Sequence, residues 1–309
     1  MKTAFLFPGQ GAQYPGMARD LFDESARVRD LFALAADTTG IDVRRLLFEG
    51  SDDELKETVN TQLSVTLANL SAAAVLAERG IAADGAAGFS LGEYSALVET
   101  GVLKAAQVFP LVKLRGELMA KAAAALDRSA GDPGMAAVLG LSPDKVDEVL
   151  SESKITDLFG ANYNSPVQVV ISGTAAALAA GIEALKAAGA RRVVPLKVSG
   201  PFHSPLLAAA GRDLEQALTA IEFRDPVKAL YSNVTGAAVK TGAEAKTLAV
   251  RQVTAPVRWT AEEQTLLDAG FDRFVEAGPG AVLTGLWNAF HDAVPCLGGG
   301  KLEQIRQIG

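Results

Sequence analysis

Apolar positions along this chain fall into two spacings, short continuous runs and longer helical repeats. Thr3 to Phe7 is a short apolar run stopped by Pro8-Gly9, which predicts a buried strand leading into a glycine-rich loop. Ser64 to Arg79 is alanine-rich with helical spacing and ends at Gly80, a residue suited to the position that closes a helix. Ala86-Ala87-Gly88-Phe89 is a second compact run, followed by Ser90 and a helical pattern from Leu91 to Thr100. A further helix is predicted from about Ala105 to Leu126. Helices alternating with short strands predict an α/β layer fold around a mainly parallel sheet.

The middle of the chain has its own pattern. Asp132-Pro133-Gly134 interrupts the helical spacing, and Met135 to Leu141 reads as a strand. Ser142-Pro143-Asp144 supplies a cap, a first-turn proline and an acidic first turn for a helix to about Leu150. Strands are predicted at 158–163 and 167–172, then a helix capped by Thr174 and ending at Gly189, then a strand from Arg191 to Val198. The order β-α-β-β-α-β is that of a ferredoxin-like unit. Residues 131–198 are therefore expected to form a small inserted domain, with 1–130 and 199–309 making the large one. Near the end, Leu286 to Val294 has a helical pattern that would carry His291 on its surface.

Composition narrows the classes. At 309 residues, 49% hydrophobic and 21% charged, the chain can bury a sizeable core. A net charge of −7 argues against a broad nucleic-acid footprint. The single cysteine, Cys296, leaves neither a disulfide nor a cysteine cluster for zinc, and it reads as a buried apolar residue. The N-terminal apolar run is too short for a signal peptide, and no stretch nears the roughly 20 apolar residues of a membrane span. A cytoplasmic location is expected.

Chemistry concentrates at Gly88-Phe89-Ser90-Leu91-Gly92, the G-x-S-x-G pattern of a nucleophile elbow. Its glycines permit a sharp strand-to-helix turn that exposes the serine hydroxyl, with the following helix aiming its free N–H groups at the reacting carbonyl. A serine nucleophile needs a base, and only His203 and His291 are present. His203 lies in a Gly/Pro-punctuated turn directly after a predicted strand, where α/β folds place catalytic groups, and is the better candidate. Pro8-Gly9-Gln10-Gly11-Ala12-Gln13 lacks the third glycine of a dinucleotide loop, since position 14 is Tyr14. Its glycines instead allow backbone and the Gln10 amide to approach a ligand closely.

These segments, with Arg115-Gly116-Glu117-Leu118-Met119, Asn162-Tyr163-Asn164-Ser165-Pro166, Gly200-Pro201-Phe202-His203-Ser204, Ser232-Asn233-Val234-Thr235-Gly236, Gln252 through Trp259, and Glu276-Ala277-Gly278-Pro279-Gly280, occur in the order seen in one family. Across nearly its whole length the chain resembles the malonyl-CoA:acyl carrier protein transacylases. The resemblance implies an α/β-hydrolase-like large domain with a ferredoxin-like insertion. It implies Ser90 as nucleophile, His203 as base, and the Leu91 N–H with Gln10 as oxyanion hole. Arg115 would grip the malonyl carboxylate, and the histidine would be oriented by a backbone carbonyl, matched here at Gln252. Phe202 resembles the malonyl-selective version of its motif, whose ring leaves no room for an α-methyl branch. Asn162 and Met119 would complete the substrate pocket.

By periodicity alone, Arg115 is a solvated charge on the 105–126 helix. Many members of the family carry histidine before the nucleophile, where this chain has Phe89, which then reads as a pocket wall. The implied partners are malonyl-CoA and an acyl carrier protein, with no metal or bound cofactor, no nucleic acid and no membrane. Fatty-acid synthesis is the implied destination, with polyketide synthesis as the alternative. Because carrier proteins are acidic, Lys186, Arg191 and Arg192 are candidate docking residues. Three other readings stay open at this point: a serine esterase or thioesterase, a malonyl transferase of another pathway, and a silent relative that only binds.

Overall fold

The computed structural model describes residues 1–308. Its strands, in chain order, are β1 (Thr3–Phe7), β2 (Gly85–Gly88), β3 (Gly134–Leu139), β4 (Leu158–Ser165), β5 (Gln168–Gly173), β6 (Arg192–Pro195), β7 (Ala229–Ser232), β8 (Ala237–Val239), β9 (Arg273–Glu276) and β10 (Cys296–Gly298). They form two sheets. The larger has the order β10-β9-β1-β2-β7-β8, parallel except for the β7–β8 pair at one edge. The smaller has the order β4-β5-β3-β6 and is antiparallel throughout.

In the larger sheet β1 is central and every residue of it is buried. Its side chains alternate between two cores, as a pleated strand covered on both faces requires. Phe5 and Phe7 enter one core, while Ala4 and Leu6 enter the other, beside Trp259 and Trp287. β1 and β2 run in parallel register, Phe7 beside Gly88, so the loops at their carboxyl ends emerge side by side. That edge is where open α/β sheets place ligands.

The helix Thr58–Glu78 begins six residues earlier than the alanine-rich pattern suggests and has seventeen of its 21 residues buried. Its first turns carry Thr58, Thr61, Gln62, Ser64 and Thr66, all buried. A helix buried all round has no amphipathic stripe to announce it. The helix Ala105–Ala124 packs against it. Gly116 lies at the contact, where an added Cβ would stand 3.0 Å from Val59 Cα and 3.3 Å from Gln62 Cγ.

The small sheet, with helices Pro143–Ser153 and Ala175–Ala187, has the strand order of a ferredoxin-like unit. Ser142 and Thr174 cap these helices, accepting from the N–H groups of Lys145 and Ala177. The last strand is shorter than the 191–198 expectation. Leu196 N–H still bonds to Met135 O, but Val198 N–H turns back to Leu196 O and the chain leaves the sheet. Between the sheets, Tyr163 N–H donates to Val257 O and Val257 N–H donates to Ala161 O, both at 2.8 Å. A cavity opens beside this junction.

The late helix also ends early, covering Val282–Asn288, so His291 is not a helix-surface residue. Asn288 pairs with both the N–H and the carbonyl of Cys296, and Trp287 Nε1 donates to Val294 O. These bonds turn the chain back into β10, where Cys296 is buried. His291 rests against the Trp287 ring with Nε2 3.3 Å from Glu263.

Candidate active site

The elbow is built from close backbone approaches. An added Cβ at Gly88 would lie 2.1 Å from the Gly92 carbonyl carbon, and one at Gly92 would lie 2.0 Å from Phe7 O. Only glycine permits this closeness, and Ser90 between them is held at φ +51°. An L-residue in that region costs about 1–3 kcal/mol, so the surroundings must over-determine it. Asn233 does so: its Oδ1 accepts from Ser90 N–H at 2.7 Å, and its Nδ2 donates to Gly88 O at 2.7 Å and to Glu262 at 2.6 Å.

Ser90 Oγ stands 2.7 Å from His203 Nε2. His203 is also left-handed, at φ +56°, and is 4% exposed. Its Nδ1 lies 2.9 Å from the Gln252 carbonyl, which can only accept. The proton therefore sits on Nδ1, and Nε2 presents a lone pair to the serine hydroxyl. Burial, and then the nearby Arg115 charge, push the imidazole down to about 4, so the ring is neutral at pH 7.

Arg115 is not solvated. It is 1% exposed, with Nη1 donating to Gln62 Oε1 at 2.8 Å and Nη2 donating to Gln252 Oε1 at 3.0 Å. Tyr94 offers its ring face 5.2 Å away. Burial holds the guanidinium below its ordinary value, yet arginine remains charged in proteins. Among the described residues Arg115 has no ion pair, and its Nε has no hydrogen-bond partner.

A cavity of about 360 Å³ brings these groups together. Every residue expected from the sequence except Gln252 lines it directly: Ser90, His203, Gln10, Leu91 and Arg115, with Phe202, Asn162 and Met119 on its walls. Gln252 is fully buried behind His203 and Arg115. Among the described residues the N–H groups of Gln10 and Leu91 find no acceptor. Phe89 also lines the cavity and packs edge-on against Trp259 at 5.5 Å. Lys186, Arg191 and Arg192 are exposed on the small sheet's side, with Lys186 paired to Glu183.

Gln62, Glu93 and Asn233 carry no role that the sequence pattern predicts. Glu93 is buried, accepts from Asn233 N–H and Gln252 Nε2 at 2.9 Å each, and is pushed up to about 7 by burial. The Gln252 side chain also donates to Ser90 O at 3.0 Å. Glu93 and Asn233 sit inside motifs that were legible, but nothing in the letters marks them as buried partners of one another.

The acyl transferase domain family model matches residues 4–295. The chain is 38% identical to the malonyl CoA-acyl carrier protein transacylase of Staphylococcus aureus (strain COL), covering 99% of this chain and 97% of that one. An acyl carrier protein S-malonyltransferase from Vibrio cholerae superposes with TM-score 0.95 at 33% identity, over 100% of both chains. A malonyl-transacylase solved in complex with its type II PKS acyl-carrier protein superposes with TM-score 0.93 at 35% identity, over 99% of this chain and 98% of that one. With its elbow, its histidine and a buried arginine in one cavity, this chain belongs to the acyl transferase domain family and, within it, to the malonyl-CoA:acyl carrier protein transacylases.

Proposed function

We propose that this protein transfers a malonyl group from malonyl-CoA to the phosphopantetheine thiol of an acyl carrier protein, through an ester on Ser90, in the cytoplasm. The observation that carries the reading is a buried arginine, without a carboxylate partner among the described residues, in the same cavity as a hydrogen-bonded serine–histidine pair. A hydrolase of simple esters has no use for such a cation. A donor that ends in a free carboxylate does.

In the forward half-reaction His203 Nε2 takes the Ser90 proton as Oγ attacks the thioester carbonyl. The tetrahedral oxyanion is held by the free N–H groups of Leu91 and Gln10. The carbon–sulfur bond breaks, the proton passes from His203 to the departing thiolate, and a malonyl ester remains. The carrier thiol then repeats the sequence in reverse, giving its proton to His203 and restoring Ser90. Arg115 holds the distal carboxylate bidentately throughout, Phe202 closes the space beside the α-carbon, and Asn162 and Met119 complete the wall. Malonyl units loaded in this way feed fatty-acid synthesis. Lys186, Arg191 and Arg192 are the proposed contacts for the carrier.

The test is intact mass after mixing with malonyl-CoA or acetyl-CoA without carrier. A malonyl adduct is expected on the native protein, none on Ser90→Ala, and a strongly weakened one on Arg115→Ala; holo carrier protein should discharge it. Equal loading of acetyl, or coenzyme A release with no adduct, would overturn the reading.

A further inference from the structure

We propose that Gln62 is a specificity-determining residue: with Gln252 it holds the Arg115 guanidinium in place through neutral oxygens, reserving the charge for the substrate carboxylate. The inference rests on the transfer reaction above and names a residue that sets its selectivity.

Two carboxamide oxygens, from Gln62 and Gln252, occupy one N–H on each side of the guanidinium, at 2.8 and 3.0 Å. Both glutamines are buried, at 1% and 0% exposure, so neither bond competes with bulk water. An amide oxygen orients a cation by its dipole but does not neutralise the guanidinium charge. A carboxylate in the same place would make a strong pair and close the site to a second anion.

The second observation concerns Glu93, the buried acid whose interaction with Arg115 is felt on both groups. It does not touch the arginine. The Gln252 amide stands between them, accepting from Arg115 on its oxygen and donating to Glu93 at 2.9 Å on its nitrogen. On the other flank, among the described residues Gln62 Nε2 meets only the weakly accepting Met119 sulfur at 3.9 Å, so Arg115 fixes which end of that amide faces it. Gly116, next in sequence to Arg115, lets the two helices approach closely enough for this contact, because a side chain there would press on Val59 and Gln62.

The experiment compares Gln62→Glu and Gln62→Met with the native protein. Acyl-enzyme formation is followed by intact mass over a range of malonyl-CoA and acetyl-CoA concentrations, giving kcat/KM for each donor. In Gln62→Glu, which supplies Arg115 with an internal counterion, the malonyl-to-acetyl ratio should fall about 100-fold, chiefly through malonyl KM. In Gln62→Met, which removes the tether and keeps the charge, it should fall about 10-fold. A ratio unchanged in both variants, or equal losses for both donors, overturns the assignment and leaves Gln62 a packing residue. If Gln62→Glu does not fold, Gln62→Met decides by the same criterion. Absence of any malonyl adduct on the native protein would overturn the transfer reaction itself, and this inference with it.

Discussion

The two ends of the cavity are built in opposite ways. At the nucleophile end, the geometry is local: glycines at 88 and 92 let a strand turn into a helix within five residues, and the strain is stored at Ser90 and answered by Asn233. At the arginine end, nothing is locally unusual. Arg115 lies mid-helix, and its environment is made by the helix crossing and by a loop residue, Gln252, 137 positions away. In the proposed reaction the first end fixes where a bond is made, and the second fixes which donor is held. One is therefore expected to respond to backbone changes for every donor, and the other to side-chain changes for one donor.

Four substitutions or conditions would break or sharpen that contrast. The largest effect is expected from Gly88→Ala, whose Cβ would fall 2.1 Å from backbone; a loss of more than about 3 kcal/mol of stability should appear as a lowered Tm, with loading by both donors abolished. Asn233→Ala removes the acceptor of the Ser90 N–H and the amide that donates to Gly88 O and to the buried Glu262 carboxylate, while the backbone N–H that serves Glu93 stays. Acyl-enzyme formation should slow about 100-fold for malonyl-CoA and acetyl-CoA alike, since a buried donor left unpaired costs about 1–3 kcal/mol and the elbow relaxes.

Gly116→Ala presses the two helices apart by a few tenths of an ångström and should leave acetyl loading intact while lowering malonyl loading about 3- to 10-fold. Equal losses for both donors would show that the two ends are not separable. The smallest change is expected on acidification from pH 8 to about 5.5. Because the folded His203 pKa is depressed to about 4, the ring stays neutral well below 6.5, and the base is lost only as pH falls through the folded value. Single-turnover acylation should be nearly flat over that range apart from a shallow slope near 7 from Glu93, which Glu93→Gln removes. A midpoint near 6.5 that survives in Glu93→Gln would mean a wetter histidine than the structure has.

Much of the fold was legible because its signals are local. Ser142 and Thr174 cap where their patterns said, and the small unit follows from the order of its strands. The pattern leaves out the first six residues of helix Thr58–Glu78, because a helix surrounded by protein needs no polar face. The reading of His291 on a helix failed because Asn288 and Trp287 pull the chain into a strand instead.

The letters by themselves nominated the elbow, through its G-x-S-x-G spacing, and the histidine, since only two exist. They also carried the family pattern around Arg115. Only the tertiary structure decided that Arg115 is dry and without a carboxylate, that Gln62 and Gln252 hold it, and that Asn233 anchors Ser90. The reason is physical. A backbone conformation is set by residues adjacent in sequence, whereas the solvation and pairing of a charge depend on whatever the fold brings within about 4 Å, where the Coulomb energy is large.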